Sequence, residues 1–165
     1  MLPEIRRILF CTDLSETAAY AFRYAVRLAK ATGAEIHILH SASEFSHEAK
    51  FILKANIEDA GGPDLETILK NRSDLSKKEV LGQVDAFWST VDEGDQQLRE
   101  RIVSVDISAG HPADAILKRA KDVGCDLIVM GAHEKGFAHA FLGSVSKSVL
   151  RNSKIPVLVV PLAEK

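Results

Sequence analysis

Short apolar runs and amphipathic segments alternate at the beginning of the chain. Apolar runs closed by polar residues predict buried strands at 6–13 and 35–42. Between them, apolar residues recur at helical spacing over 15–33, where Ser15 can cap the helix and Gly33 can end it. A strand, a helix and a strand in quick succession predict a parallel βαβ unit with a right-handed crossover.

The same alternation returns after residue 100. Pro112 stands near the start of one amphipathic segment and Gly124 at its end, as is typical of a helix. The strands are apolar on both faces, which is typical of a sheet covered by helices on both sides. The predicted elements are strands at 101–110, 126–131 and 154–162, and helices at 111–124 and 143–153.

The span from about 43 to 100 carries helical rather than strand signals. One helix is predicted over 45–62, where it stops at paired glycines. A second helix is predicted to begin at Ser76 and continue to residue 102, because Ser76 and Glu79 have the spacing of a capping box. We interpret the span as a helical crossover that is longer than one helix needs. It could form a lid, a partner surface or a connection without a function of its own.

Five strands with intervening helices predict a doubly wound α/β fold in a single domain. We predict a five-stranded parallel sheet with the strand order 3-2-1-4-5. In that order strands 1 and 4 lie at the topological switch point, where ligands bind outside the carboxyl ends of the strands. The loop at Thr12 and Asp13 and the loop that starts at Gly131 would then face one crevice.

Composition and charge exclude several classes of partner. The chain has 165 residues and a formal net charge of −2, so we expect neither nucleic acid nor a membrane surface as a partner. Its apolar stretches are too short to span a bilayer and its first residues lack a signal-peptide pattern, so we expect a cytoplasmic protein. Cys11 and Cys125 form neither a disulfide framework nor a zinc pattern and are predicted to be buried thiols.

The segment after strand 4 is rich in glycine and is the best candidate for ligand chemistry. Gly131 and Gly136 have the first spacing of a P-loop, but Phe137 stands where that motif needs lysine. The dinucleotide fingerprint GxGxxG and the nucleophile motif GxSxG are both absent. What remains is Gly143-Ser144 at the start of a helix, where backbone N–H groups and the helix dipole favour an anion. Alternatively, Ser144 only caps that helix and Gly143 only makes the turn.

Three motifs together carry a resemblance to a known family. They are the Asp13 that follows strand 1, the G-x-P-A-x-x-I segment at 110–116, and the GS-V-S-x-x-V-L-R helix at 143–151. With them the chain resembles the universal stress protein family over nearly all of its length, as one domain at 1–165. The resemblance implies a Rossmann-like, adenine nucleotide alpha hydrolase-like fold and a homodimer built through the last strand, about 155–161. That strand is apolar and would lie at a sheet edge, where unpaired backbone groups invite a partner.

ATP-binding members of that family carry the pattern G-x-x-G-x(9)-G-S/T after strand 4. Here Gly131 matches its first glycine and Gly143-Ser144 match its last pair, but they are 12 positions apart where the pattern gives 13. Glu134 replaces the second glycine, and Gly136 follows two residues later.

The resemblance implies a nucleotide site at specific positions of this chain. Thr12 and Asp13 would lie at the ribose and adenine, and Ser41 would meet the adenine through its backbone. The other implied positions are Met130 and Gly131 at the nucleotide floor, His133 near the phosphates, Gly136 in the turn, and Gly143, Ser144 and Val145 around the phosphates.

Glu134 keeps a second hypothesis open. A carboxylate about 6 Å from a phosphate charge disfavours binding by roughly 3 kcal/mol at an effective dielectric near 20, or about a hundredfold in affinity. Lys135, a metal ion or an orientation toward water would reduce this penalty, and Gly136 could supply the turn. The alternative is a dimeric protein-interaction module that binds no nucleotide and contacts an unknown partner.

The sequence therefore predicts a binding module rather than an enzyme. We expect it to hold ATP or a related adenine nucleotide, with or without Mg²⁺, and to act as a stress-response sensor without efficient catalysis. A metal site that uses His111 and His133 is a weaker hypothesis, as is slow hydrolysis with Asp13 as a base.

Overall fold

The structure is a computed structural model that describes residues 1–42, 46–132 and 142–162. Its described part forms five strands, five α-helices and one 3-10 helix in the alternating order that the sequence predicts at both ends. The elements are β1 Arg7–Thr12, α1 Glu16–Thr32, β2 Glu35–Ala42, α2 His47–Ala60, α3 Leu65–Trp88, the 3-10 helix Glu93–Arg101, β3 Ile102–Ala109, α4 Pro112–Val123, β4 Leu127–Gly131, α5 Ser144–Asn152 and β5 Val157–Val160.

The five strands form one parallel sheet with the order β3-β2-β1-β4-β5, so the predicted fold class and strand order are confirmed. Strand β1 is central, with Thr12 opposite His40 of β2 and Cys11 opposite Met130 of β4. The chain order reverses between β1 and β4. The switch point therefore lies at the ends of these two strands.

Alternate residues of the strands point to two separate apolar cores. On one face, Ile8 and Phe10 of β1 are buried together with α1 and with Val80 and Val84 of α3. On the other face, Leu9 and Cys11 of β1 are buried with residues of α4 and α5. The sheet is thus covered on both sides, as the apolar strands predicted.

The first helix begins and ends where the sequence predicts. Ser15 Oγ accepts a hydrogen bond from the backbone N–H of Ala18 at 3.1 Å, which satisfies one amide of the first turn. Gly33 follows the last helical residue with a φ of 77°, in the left-handed region that glycine adopts without penalty. The predicted apolar face is buried at Ala18, Phe22, Ala25, Val26 and Ala29.

The crossover differs from the prediction in where its second helix begins. Helix α3 starts at Leu65, because the side chain of Asp64 accepts a hydrogen bond from Thr67 N at 2.8 Å and caps it there. Ser76 is a buried residue in the middle of α3, so the capping box predicted from Ser76 and Glu79 is wrong. Such a pattern is local, and it caps nothing once the helix has started a few turns earlier.

The predicted continuation of this helix to residue 102 is also wrong. Helix α3 ends at Trp88, and a 3-10 helix, Glu93–Arg101, leads into β3. The amide of Gln96 donates to the backbone oxygens of Trp88 and Val91 at 2.8 and 2.7 Å. These bonds tie the 3-10 helix to the end of α3 and to the turn that follows it.

The first helix of the crossover stops at the paired glycines as predicted, since α2 ends at Ala60 and Gly61 caps it with a φ of 62°. Within the described ranges, no helix is both long and apolar enough to cross a membrane.

Candidate functional site

A cavity of about 480 Å³ opens at the carboxyl ends of β1 and β4, at the switch point of the sheet. Four separate segments of the chain bring the predicted residues to it. The lining includes every predicted site residue that the structure describes: Thr12, Asp13, Ser41, Met130, Gly131, Gly143, Ser144 and Val145. The predicted residues His133 and Gly136 lie outside the described residues, as does Glu134.

Six further residues line the cavity that sequence reasoning did not assign to it. Pro112 and Ile116 belong to the G-x-P-A-x-x-I segment, which served only to recognise the family. Leu39 precedes Ser41 by two positions on β2 and so shares its face of the sheet, a periodicity that could have identified it. The remaining three are Cys11, Ala18 and Ser146.

The loop between β1 and α1 carries Asp13 at the edge of the cavity. Thr12 Oγ1 accepts a hydrogen bond from Leu14 N, and Asp13 Oδ1 accepts one from Ser15 N, both at 3.0 Å. Leu14 has a φ of 66°, a left-handed conformation that disfavours a residue with a Cβ by about 1–2 kcal/mol. The loop therefore holds one specific and mildly strained conformation.

Two side chains from outside this loop bind its carbonyl groups. The buried His40 donates from Nδ1 to the backbone oxygen of Thr12 at 2.8 Å, which fixes the tautomer of this imidazole. Gln83 of α3 donates from Nε2 to the backbone oxygen of Leu14 at 2.9 Å. Asp13 lies between these two anchored residues.

Gly131 at the end of β4 is a point of close backbone approach. A Cβ atom there would lie 3.0 Å from the carbonyl carbon of Thr17 and 3.1 Å from the nitrogen of Ala18. Because this position has no side chain, the first turn of α1 packs against the end of β4 without a shift of its backbone. Gly131 thus has a packing role in addition to its place in the cavity lining.

Helix α5 begins at the cavity, and none of the described side chains caps its amino terminus. Gly143 occupies the N-cap position, and Ser144 is the first helical residue. The alternative in which Ser144 caps the helix is therefore wrong. Ser146, in the same first turn, donates from Oγ to the backbone oxygen of Gly131 at 3.3 Å and ties α5 to β4. The first-turn N–H groups lack an intrahelical acceptor and can bind an anion.

The described lining combines apolar surface with hydroxyl groups and a single charged side chain, that of Asp13. Ser41 Oγ is buried and has no hydrogen-bond partner among the described residues. Burial raises the pKa of the Cys11 thiol far above its usual range, so this residue contributes a neutral group. The arrangement suits a ligand with an apolar ring, polar edges and an anionic end.

Among the described residues, no histidine lines this cavity, which bears on the metal site predicted from His111 and His133. His111 precedes α4, is exposed, and lies with Nδ1 3.7 Å from Oδ2 of Asp114. It does not line the cavity. Across the described ranges, no three metal-ligating side chains lie close enough together to hold a metal ion.

The fold and the cavity define an α/β protein with a ligand crevice at the switch point of its sheet. The family model of the universal stress proteins matches residues 4–161, and the chain belongs to that family. The resemblance seen in the sequence is therefore confirmed.

Known proteins similar to this chain cover almost all of it. Universal stress protein MJ0577 of Methanocaldococcus jannaschii is 29% identical over 160 residues, which span 94% of each chain. Its solved structure has a TM-score of 0.66 at 28% identity and covers 99% of this chain and 100% of its own.

Two solved structures with nucleotides share the fold. A universal stress protein in complex with cAMP has a TM-score of 0.55 at 20% identity and covers 96% of this chain and 98% of its own. The universal stress protein from Archaeoglobus fulgidus in complex with dAMP has a TM-score of 0.50 at 17% identity. It covers 96% of this chain and 99% of its own.

Proposed function

We propose that the cavity binds an adenine nucleotide, ATP or a close relative, and that the chain acts as a stress-response sensor without efficient catalysis. One observation carries the proposal. Residues from four separate segments, predicted from the sequence to bind a nucleotide, line one cavity beside the amino terminus of α5, which no described side chain caps. Its volume of about 480 Å³ lies within the range of small-molecule sites.

The chemistry of the lining supports a nucleotide in one orientation. Leu39, Ile116 and Met130 offer apolar contacts to a base, while the carboxylate of Asp13 can accept hydrogen bonds from ribose hydroxyls. The first-turn N–H groups at Ser144 and Val145 would bind phosphate oxygens with the help of the helix dipole. Mg²⁺ would enter with the phosphates, whose charge it partly neutralises.

The two relatives solved with cAMP and dAMP support an adenine nucleotide as the ligand class. Both ligands carry an adenine, a sugar and one phosphate. In our proposal the adenine contacts Leu39, Ile116 and Met130, the sugar binds Asp13, and the phosphate binds the start of α5.

Slow or absent turnover is part of the proposal. Asp13 is the charged side chain among the described lining residues, and the described lining offers no nucleophile with an adjacent base. Phosphoryl transfer also depends on positioned cationic side chains, and the described lining contains neither lysine nor arginine.

The proposal also includes a cytoplasmic homodimer formed through β5. Val157, Leu158 and Val159 of this edge strand are only partly buried, so pairing with a second copy would cover apolar surface and unpaired backbone groups. The two free, buried thiols support a reducing compartment. Sedimentation velocity tests the dimer, and a monomer at micromolar concentration would refute it.

A second candidate function is a protein-interaction module without nucleotide. It is favoured by the exposed apolar residues Phe51 and Ile52 of α2, which are 76% and 59% exposed. An unknown protein partner would cover this surface.

The deciding experiment begins with protein purified without added ligand. The protein is denatured, released small molecules are identified by mass spectrometry and counted per chain, and thermal unfolding is then measured with and without millimolar Mg²⁺-ATP. The variant Gly143→Leu/Ser144→Leu blocks the start of α5, and Leu150→Gln on the exposed side of the same helix is its control.

Bound adenine nucleotide, or a rise in unfolding temperature with ATP, supports the proposal if the double variant abolishes it and Leu150→Gln retains it. An empty protein with no response to ATP would refute nucleotide binding and leave the interaction module. Binding that survives in the double variant would show that the site is wrongly assigned.

A further inference from the structure

The crossover helix α3 contacts the loop that carries Asp13. Gln83 donates from Nε2 to the backbone oxygen of Leu14 at 2.9 Å, although the two residues are 69 positions apart in the sequence. Gln83 lies in the long crossover, carries none of the motifs that mark the site, and does not line the cavity.

The bond from Gln83 holds the residue of the loop whose backbone is strained, Leu14. Leu14 has a φ of 66°, which a residue with a Cβ keeps only when its surroundings hold it there. The bonds of Thr12 Oγ1 to Leu14 N and of Asp13 Oδ1 to Ser15 N join atoms within the loop. They close the turn between the last residue of β1 and the N-cap of α1, but they make no contact with β2 or α3.

Two bonds fix the loop from outside, one on each side of Asp13. His40 holds the carbonyl of Thr12 on the strand side, and Gln83 holds the carbonyl of Leu14 on the helix side. Removing the bond from Gln83 leaves the carbonyl of Leu14, and the left-handed backbone that carries it, without this support from α3.

The position of Gln83 is set by the apolar core. Val80 and Val84, on the same part of α3, are 1% and 7% exposed and pack against the sheet. Helix α3 therefore presents the Gln83 amide to the loop from a rigid support.

We propose that Gln83 is a positioning residue for the nucleotide cavity and that the crossover helix α3 sets the orientation of Asp13 through it. The inference rests on the proposed nucleotide function and gives the long crossover a role in it. Ligand affinity then depends on the fraction of molecules whose loop is in the binding conformation.

The test compares two glutamines that make the same kind of bond. Gln83→Met removes the donor to Leu14 without adding charge, and Gln96→Met removes the donor to Trp88 and Val91, away from the cavity. Isothermal titration gives the dissociation constant for ATP, thermal unfolding gives stability, and amide hydrogen exchange by NMR follows Leu14 and Ser15 without ligand. If Gln83→Met fails to fold, Gln83→Glu, which has the same size, replaces it. Because this variant adds a negative charge, it is titrated with uncharged adenosine.

We expect Gln83→Met to weaken nucleotide binding about five- to tenfold, the factor by which one neutral hydrogen bond shifts an equilibrium between conformers. Exchange at Leu14 and Ser15 should accelerate in the same variant. Gln96→Met should lower the unfolding temperature but change neither readout. The inference would be overturned if Gln83→Met bound nucleotide as tightly as the unsubstituted protein. An equal loss of affinity in Gln83→Met and Gln96→Met would also overturn it.

Failure of the proposed function is a distinguishable result. If the unsubstituted protein binds no nucleotide, nucleotide binding is refuted and the exchange data alone decide whether Gln83 positions the loop. Unchanged exchange at Leu14 and Ser15 in Gln83→Met would then overturn the inference, and faster exchange confined to that variant would support it.

Discussion

A Cβ atom on Gly131 would lie 3.0 Å from the carbonyl carbon of Thr17, so the end of β4 and the first turn of α1 meet backbone to backbone. This distance is tighter than nine in ten real Cβ contacts, so the backbone of α1 would have to shift to admit a side chain. The contact fixes where α1 begins relative to β4. It therefore also fixes where the loop between β1 and α1 lies relative to the end of β4.

We predict that Gly131→Ala destabilises the fold by about 1–3 kcal/mol, as expected for overpacking against atoms that cannot move independently. The two nearest obstructing atoms belong to the backbone of the buried residues Thr17 and Ala18, and the third is Cγ2 of Thr17. Urea unfolding measures the loss in the free energy of unfolding.

Gly82→Ala is the matched control for this prediction. Gly82 is exposed in the middle of α3, and a Cβ there would meet no atom within 4 Å. Alanine favours a helix over glycine by about 1 kcal/mol, so this variant should be more stable than the unsubstituted protein. Loss of stability in Gly82→Ala, or none in Gly131→Ala, would contradict the packing argument.

Much of the fold could be predicted because its determinants are local or periodic. Leu9 and Phe10 are neighbours in the sequence but enter different cores, which is the consequence of a strand with helices on both sides. The start of α3 could not be found in the same way. Its determinant is the Asp64 cap, and the equally plausible capping pattern at Ser76 and Glu79 lies inside the helix.

The candidate site was predictable to the extent that a motif marks it. Thr12, Asp13 and the start of α5 stand directly after a strand or before a helix, so topology brings them together. Gln83 carries no such mark. Its bond to Leu14 depends on how α3 crosses the sheet, which the pattern of a single helix does not specify.

We predict that Ser41→Ala weakens adenine-nucleotide binding about five- to tenfold without lowering the stability of the ligand-free protein. Ser41 Oγ lies buried in the cavity wall without a partner among the described residues, so a ligand is its available hydrogen-bond partner. Isothermal titration and thermal unfolding measure the two quantities.

Ser108→Ala controls for the loss of a hydroxyl on the neighbouring strand. Ser108 pairs with Ser41 in the sheet, but its Oγ donates to the backbone oxygen of Ala109, and it does not line the cavity. The affinity of Ser108→Ala for the nucleotide should equal that of the unsubstituted protein. A Ser41→Ala variant with unchanged affinity would show that the hydroxyl makes no contact with the ligand.

We predict that the stability of the fold decreases as the pH falls below about 6.5, the ordinary pKa of histidine, and that His37 contributes to this decrease. Burial, with help from the Arg119 guanidinium, lowers the pKa of His37 in the folded state. The unfolded chain then binds a proton more readily than the folded one, so stability rises with pH between the lowered pKa and the ordinary one. Above that window both states are neutral and the effect vanishes.

Urea unfolding of His37→Gln at pH 5 and pH 7.5 tests this prediction. The variant should lose less stability on acidification than the unsubstituted protein, while His111→Gln, at an exposed position, should lose as much. The same decrease in all three proteins would assign the pH dependence to other groups.

We predict that both thiols react slowly with iodoacetamide in the native protein and that nucleotide protects Cys11 selectively. Burial raises the pKa of Cys11 well above its usual range and that of Cys125 to about 11, so little reactive thiolate exists at neutral pH. Cys11 lines the cavity, whereas Cys125 precedes β4 at the opposite end of the sheet. Mass spectrometry of alkylated peptides over time, with and without ATP, gives both rates. Because Cys125 has no contact with the cavity, equal protection of the two thiols would indicate general stabilisation instead of a ligand beside Cys11.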